Sequence, residues 1–182
     1  MLDGHDEIWA LVPFLDDHRL QQLQESHYLP IKDDDVSSLG LIANPHSGKN
    51  KHSPNRLNLL RQQLGERGRF CVPNSISDLP DIIRELRRKG LTVLCIDGGD
   101  GTVHQVVNAL FQVYGNDLWP QIALLKGGTM NNIARNVGVP LLKRSKGLLS
   151  DILSDKSLRT NRHHPLIVDN KAGFIFGVGG VA

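Results

Sequence analysis

Three short stretches of this chain carry residues suited to holding a polyanion: NPHSGKN (44–50), GGDGT (98–102) and KGGTMNN (126–132). Each follows an apolar run and precedes a helical pattern, so each reads as the loop between a buried strand and a helix. Glycine lets backbone N–H groups approach a ligand closely, and the N-terminus of the following helix favours negative charge. In an open parallel sheet, ligands bind outside the carboxyl ends of the strands. Three such loops at one edge would converge on one polyanion, most naturally a nucleotide triphosphate. Asp100 then calls for a cation, since a carboxylate repels phosphate. Mg²⁺ is the usual one, held by one or two carboxylates with phosphate oxygens and water. Thr102 serves as hydroxyl donor or helix cap. Asp97 ends the preceding strand and is not expected to face the phosphates. Asp97→Asn should therefore cost less activity than Asp100→Ala, which should leave the fold intact.

Plainer readings compete with this one. A single Gly-rich turn such as GGDGT is as often only a tight turn. HSGKN lacks the upstream glycine of a P-loop and the Ser or Thr after its lysine. Lys49 alone reads as a solvated lysine, and KGGTMNN as a helix entrance with Asn131 capping. The eight histidines show no metal-ligand spacing. His104 reads as a helix-surface residue near the site, and His163 and His164 as structural. Neither a nucleophile elbow nor a Ser-His-Asp order appears. Lys143, Arg144 and Lys146 form a basic group, read as a solvated face, with contact to acidic lipid headgroups as the alternative.

The elements that must position these loops alternate regularly. LGLIANP (39–45), RFCVP (69–73), LTVLCID (91–97) and QIALLK (121–126) read as strands. The third is apolar nearly throughout, as a strand buried on both faces should be. Ser53 and Pro54 read as one helix start, with Leu57, Leu60 and Leu64 as its apolar stripe. Asp78 reads as the cap of the next helix, with Ile82, Ile83 and Leu86 on one face and Gly90 as its stop. A further helix pattern starts near Val103 and runs through Val106, Val107, Leu110 and Phe111. Strands alternating with helices imply an α/β fold, a parallel sheet with helices on both faces. After Pro140 the rhythm changes. GLLSDILS (147–154) fits a short helix, and HPLIVDNKAGFIFGVGG a hairpin turning at Asp169–Gly173. The expected division is 1–38 as an N-terminal extension, with a short helix in DDHRLQQLQES and a polar linker in IKDDDVSS. Then come 39–160 as the α/β nucleotide-binding domain and 161–182 as the start of an incomplete β domain.

Composition bounds the rest. The chain has 182 residues, 40% hydrophobic and 22% charged, with a formal net charge of +2. That suits a globular protein and is no nucleic-acid signature. Two cysteines, Cys71 and Cys95, are too few for a disulfide framework and read as buried thiols in a reducing compartment. No apolar run is long enough to span a bilayer, and the acidic start MLDGHDEIW does not read as a secretory signal. A cytoplasmic protein is expected, at most peripheral at a membrane.

The same loops, in the same order, resemble the catalytic domain of diacylglycerol kinases and of the related sphingosine and bacterial lipid kinases. NPHSGK resembles that family's Asn-Pro-x-Ser-Gly-Lys/Arg loop. GGDGTVHQVVNAL resembles its nucleotide-binding loop and helix, and GGTMNNIARNVGVP its Gly-Thr-x-Asn-Asp-x-Ala-Arg segment. The resemblance covers roughly 39–182. It implies ATP- and Mg²⁺-dependent transfer of the γ-phosphoryl group to a lipid hydroxyl, in a cleft between an α/β domain and a C-terminal β-sandwich, here truncated to its first hairpin. By that analogy Gly98, Gly99, Asp100, Gly101 and Thr102 hold phosphates and metal, with Asp100 the catalytic and metal residue. Asn44, Ser47, Gly48 and Lys49 line the same cleft, and Gly128, Thr129 and Asn131 approach the nucleotide. Gln105 and Asn132 stand where the family usually has Glu and Asp. The family's proposed general base lies in the β-sandwich, so these 182 residues alone are expected to turn over no lipid and to self-associate through 164–182. The rival readings are an NAD kinase-like enzyme, which carries similar GGDGT loops, and a non-catalytic nucleotide-binding or interaction domain, which Gln105 and Asn132 favour.

Overall fold

The protein is described by a computed structural model covering residues 39–53, 55–139, 145–154, 166–168 and 171–173. The expected extension 1–38 and the basic pair Lys143 and Arg144 lie outside these residues, as do His163, His164 and most of the expected self-association segment. The elements are β1 (Leu39–Ala43), α1 (Gly48–His52), α2 (Asn55–Leu64), β2 (Arg69–Cys71), α3 (Leu79–Arg88), β3 (Val93–Asp97), α4 (Asp100–Tyr114), β4 (Gln121–Leu124), α5 (Asn132–Asn136), α6 (Ser145–Leu153), β5 (Leu166–Val168) and β6 (Lys171–Gly173).

Four strands form one sheet in the order β2-β1-β3-β4, every pair parallel. The two central strands, LGLIA and VLCID, are buried at each position. Leu41, Ile42, Leu94 and Ile96 are wholly inaccessible. A parallel strand with helices on both sides has no wet face, hence the unbroken apolar run. Right-handed crossovers settle where the helices lie. The chain leaves β1 toward β2 on one side and returns past β1 to β3 and β4 on the other. This puts α2 on the face opposite α3 and α4. Contacts agree: α3 packs on α4, and α2 on α6.

That strand order has a consequence for function. The connections from β1 and β3 diverge, so a crevice opens between their carboxyl ends, the usual ligand position in such sheets. Asn44 and Gly98 begin the loops that flank it.

Several local expectations are corrected. Loop 44–50 contains a helical turn, α1, closed by the Lys51 N–H on the Ser47 carbonyl at 2.9 Å. The helix expected from Ser53 therefore follows a first one, and α2 begins at Asn55. Asp78 does not itself cap α3. It is the third residue of a capping box opened by Ser75, on a short 3₁₀ turn over Ile76–Asp78. The Ser75 hydroxyl, then the Ser75 and Asn74 N–H groups, stabilise its carboxylate and lower its pKa. Helix α4 starts at Asp100 rather than near Val103, because the Val103 N–H already bonds the Gly99 carbonyl at 3.0 Å.

Strands β5 and β6 pair antiparallel, with Val168 opposite Lys171, so residues 171–173 are strand and not turn. The Asn108 amide joins this hairpin to α4. Its Nδ2 donates to the Ala172 carbonyl at 2.8 Å, and its Oδ1 accepts the Ala172 N–H at 2.9 Å. The side chain thus satisfies both backbone groups of Ala172, as a neighbouring strand would.

Candidate functional site

Three loops meet at the carboxyl edge of the sheet, and backbone hydrogen bonds lock them together. The Asn44 N–H donates to the Asp97 carbonyl at 2.9 Å, tying the first loop to the end of β3. The Lys49 N–H (3.0 Å) and the Ser47 hydroxyl (3.1 Å) both donate to the Gly127 carbonyl, tying the first loop to the third. The Gly128 N–H reaches the Gly98 carbonyl at 2.9 Å, tying the third to the second. The Asn44 amide donates to the Thr102 hydroxyl at 2.8 Å. Thr102 is thus a loop-to-loop contact inside the first turn of α4. It is not the cap, a position that Gly99 holds without a side chain.

The glycines have a use that local sequence does not reveal. A Cβ on Gly128 would lie 2.2 Å from the Gly99 Cα, and one on Gly48 2.2 Å from the Thr129 hydroxyl. A Cβ on Gly127 would meet the Asp97 carboxylate and the Gly98 nitrogen at 2.8 Å, and one on Gly98 the Thr102 side chain at 2.4 Å. Gly48, Gly127 and Gly128 are small because the loops press on one another, and Gly98 because the first turn of α4 folds back on it. Gly101 differs. It is exposed, and a Cβ there would meet nothing within 4 Å. It borders open space at the N-terminus of α4.

Both acids are engaged by the protein. Asp97 is wholly buried. Arg56 from α2 forks onto it, Nη1 to Oδ2 and Nη2 to Oδ1, each at 2.5 Å. The Asn50 amide adds a third donor at 2.9 Å and also bonds the Asn44 carbonyl at 2.7 Å. Arg56 in turn bonds Asn50 Oδ1. Asp97 is therefore the anchor of the first loop, as the sequence does not suggest. The expectation that Asp97→Asn is the milder substitution therefore does not extend to stability.

Asp100 bridges the second and third loops. Its Oδ2 accepts the Asn132 N–H at 3.0 Å and its Oδ1 the Ile133 N–H at 2.9 Å. These are unpaired donors of the first turn of α5, so the cap comes from a residue far back in the chain. Asn131 occupies the cap position, in the left-handed region at φ 52. Its side chain instead bonds the Gly128 N–H and carbonyl, at 3.0 and 2.8 Å. Asp100→Ala is accordingly expected to loosen the loops, contrary to the sequence expectation of an intact fold.

Fit to a metal can be tested on these contacts. Among the described residues, no cluster of three or more His, Cys, Asp or Glu could hold an ion. Asp97 already receives three side-chain donors. Asp100 bonds one donor through each oxygen, which leaves lone-pair capacity on both. The residues thus fit a Mg²⁺ held chiefly by phosphate oxygens and water, with Asp100 as its protein carboxylate.

Lys126 is the residue sequence reading passed over. Expected as the end of β4, it lies beyond it, 6% exposed and in the left-handed region at φ 55. Burial, and then the nearby Lys49 charge, push its pKa down. Lys49 and Thr129 are exposed, while Ser47 and Asn131 are buried. His104 and Gln105 lie half-buried on α4. Cys71 and Cys95 are free thiols, Cys95 buried and Cys71 partly so.

A parallel α/β domain with three interlocked Gly-rich loops at its switch point is the class that fold and site define. Residues 38–161 match the family model for the diacylglycerol kinase catalytic domain, and the chain belongs to that family. It is 33% identical over 107 residues to a protein named "Probable lipid kinase YegS" from Escherichia fergusonii, covering 59% of this chain and 35% of that one. The protein of the same name from Shigella flexneri is 34% identical over 100 residues, covering 55% and 33%. The chain thus spans about a third of the length of these curated relatives. The crystal structure of a diacylglycerol kinase from Bacillus anthracis superposes with a TM-score of 0.48 at 24% identity, covering 62% of this chain and 40% of that one. Among the described residues, no helix is long and apolar enough to cross a membrane.

Proposed function

We propose that this chain is the nucleotide-binding portion of an ATP-dependent lipid kinase, which transfers the γ-phosphoryl group to a hydroxyl of diacylglycerol or a related lipid. One observation carries the reading. The three loops interlock at the crevice between β1 and β3, and Gly101 leaves the N-terminus of α4 open there. A helix N-terminus with free backbone donors suits phosphate. In the transfer, the bond from the γ-phosphorus to the bridging oxygen breaks and one to the lipid oxygen forms. ADP leaves with the bridging oxygen, and the proton of the lipid hydroxyl passes to a general base, which the family resemblance places in the β-sandwich. Positioning and charge neutralisation supply most of the acceleration in such reactions.

In this reading the backbone of 98–102 cradles the phosphates, and Asn44 and Ser47 hold the first loop against the other two. Mg²⁺, when bound beside Asp100, would neutralise charge on the phosphate oxygens. The family match favours this reading over an NAD kinase-like one. Peripheral contact with a bilayer follows from the acceptor class, since a lipid hydroxyl is reached at a membrane surface.

A second reading has its own support. Asp100 bonds two backbone donors, and Gln105 and Asn132 are not acids. A nucleotide-binding domain without transfer activity would look the same. Incubation of a full-length version of the chain with radiolabelled ATP, Mg²⁺ and mixed micelles of diacylglycerol or sphingosine separates the two. Label in lipid that is lost on omitting Mg²⁺ supports the kinase. Saturable nucleotide binding with no labelled lipid supports the second reading, and absence of nucleotide binding overturns both.

A further inference from the structure

One side chain joins the helix that begins at the phosphate crevice to the antiparallel hairpin. Asn108, in the middle of α4, bonds both backbone groups of Ala172 in β6, at 2.8 and 2.9 Å. We propose that Asn108 is a positioning residue for phosphoryl transfer. It sets the β unit that opens with this hairpin against the phosphates at the N-terminus of α4. This deepens the lipid kinase reading above and rests on it.

The amide is arranged for that contact. An Asn side chain has two N–H donors and one carbonyl oxygen. Its Nδ2 also turns back to the His104 carbonyl of its own helix, at 2.9 Å. That bond holds the amide against α4, so the other donor and the oxygen reach β6 as a fixed pair. Asn is a poor helix former beside Ala or Leu, and its neighbours Val106, Val107, Ala109 and Leu110 are buried. In so apolar a stretch, these bonds are what the amide provides.

The hairpin depends on this contact more than a strand inside a wide sheet would. Two strands alone are marginal in water. Residues of an antiparallel pair alternate between bonding across the ladder and facing outward. Ala172, opposite Ile167, turns its N–H and carbonyl outward to Asn108. The amide thus stands where a third strand would bond, and β6 packs along α4. Ala172 is 1% exposed, so without the amide both groups would be left buried and unpaired.

Place along the helix gives the contact its meaning for the reaction. Asp100, in the first turn of α4, holds α5 through the Asn132 and Ile133 N–H groups. Asn108 follows two turns later, about 12 Å along the axis at about 1.5 Å per residue. One helix therefore carries the phosphate end at its start and the fastening of the hairpin at its middle. In the reading above, the general base belongs to the β unit. The in-line approach of a lipid hydroxyl then depends on where α4 holds that unit. A misplacement of about 1 Å can cost on the order of 100-fold in rate.

A full-length version of the chain, as wild type, Asn108→Leu and Asn108→Asp, tests this. The readouts are Mg·ATP affinity by calorimetry, amide exchange at 171–173, and steady-state transfer to diacylglycerol in mixed micelles. Leu suits the helix and forms no bond to Ala172. Asp can accept the Ala172 N–H and cannot donate to its carbonyl. Both variants should bind Mg·ATP within about twofold of wild type, since separated sites act nearly independently. Exchange at 171–173 should quicken, and kcat should fall by about 100-fold in Asn108→Leu and by less in Asn108→Asp. A folded variant with quickened exchange and wild-type kcat overturns the inference, as does wild-type exchange in both variants. Failure of both variants to fold, or a loss of Mg·ATP affinity as large as the loss of kcat, marks a merely structural residue and overturns it too. In each of these cases a wild type that labels lipid leaves the kinase reading standing. A wild type that labels no lipid overturns that reading, and this inference with it.

Discussion

Gly128→Ala and Gly101→Ala should separate two uses of glycine in one site. In the first, the new Cβ would stand 2.2 Å from the Gly99 Cα, 3.0 Å from its nitrogen and 3.1 Å from Asn131 Oδ1. These are chiefly backbone atoms that no rotamer change can clear, so the loops must part by more than about 1 Å. Overpacking of this kind costs about 1–3 kcal/mol. Loss of the Gly128 to Gly98 hydrogen bond, 2.9 Å long, adds about 1 kcal/mol. A total near 3 kcal/mol lowers the unfolding midpoint by roughly 6–12 °C in a domain of this size. Gly101→Ala meets nothing within 4 Å and adds a better helix former to α4, so its stability should change by less than about 1 kcal/mol. Its methyl would instead intrude on the open surface proposed for phosphate, and Mg·ATP affinity should fall. Thermal unfolding and calorimetric titration of both variants provide the check. A Gly128→Ala protein as stable as wild type would refute the loop-packing argument, and unaltered ATP affinity in Gly101→Ala would remove that residue from the phosphate site.

Other substitutions carry their own expectations. Asp97→Asn leaves Arg56 with a poorer partner beside a wholly buried group and should destabilise by about 3 kcal/mol, measurable by urea unfolding. Asp100→Ala removes the acceptors of two backbone N–H groups and should cost about 2 kcal/mol. Equal stability of that variant and wild type would show that α5 is capped by other means. Burial, and then Asp97, push the Cys95 thiol up to about 12, so a thiol reagent at neutral pH should label Cys71 slowly and Cys95 only after unfolding. Burial, then Glu85, also raise the Cys71 pKa. Two rapidly reacting thiols in the native protein would contradict this.

What the sequence made legible was local. The run VLCID declared a strand buried on both faces, and its alternation with helices declared a parallel sheet. The stripe Val103, Val106, Val107 and Leu110 declared α4, and all four are buried. Reading fell short wherever the partner lies far along the chain. Gly128 is explained by Gly99, Asp97 by Arg56, and the start of α5 by Asp100. Local patterns carry no sign of such contacts, so the glycines read as ligand-facing and Asp97 as a bystander. Lys126 looked like the end of a strand because the bonds that flank its left-handed backbone, from Leu125 to strand β3 and from the first loop to Gly127, join it to residues far along the chain. A lysine directly before two glycines, at the end of a buried strand, was the available hint.

The central claim is that one nucleotide site is built from all three loops. Amide hydrogen exchange of the chain with and without Mg·ATP tests it most directly. Slower exchange is expected in 44–50, 98–102 and 126–132, with no change in the exposed face of α3. Unaltered exchange in all three loops at saturating Mg·ATP, or protection confined to another surface, would contradict it.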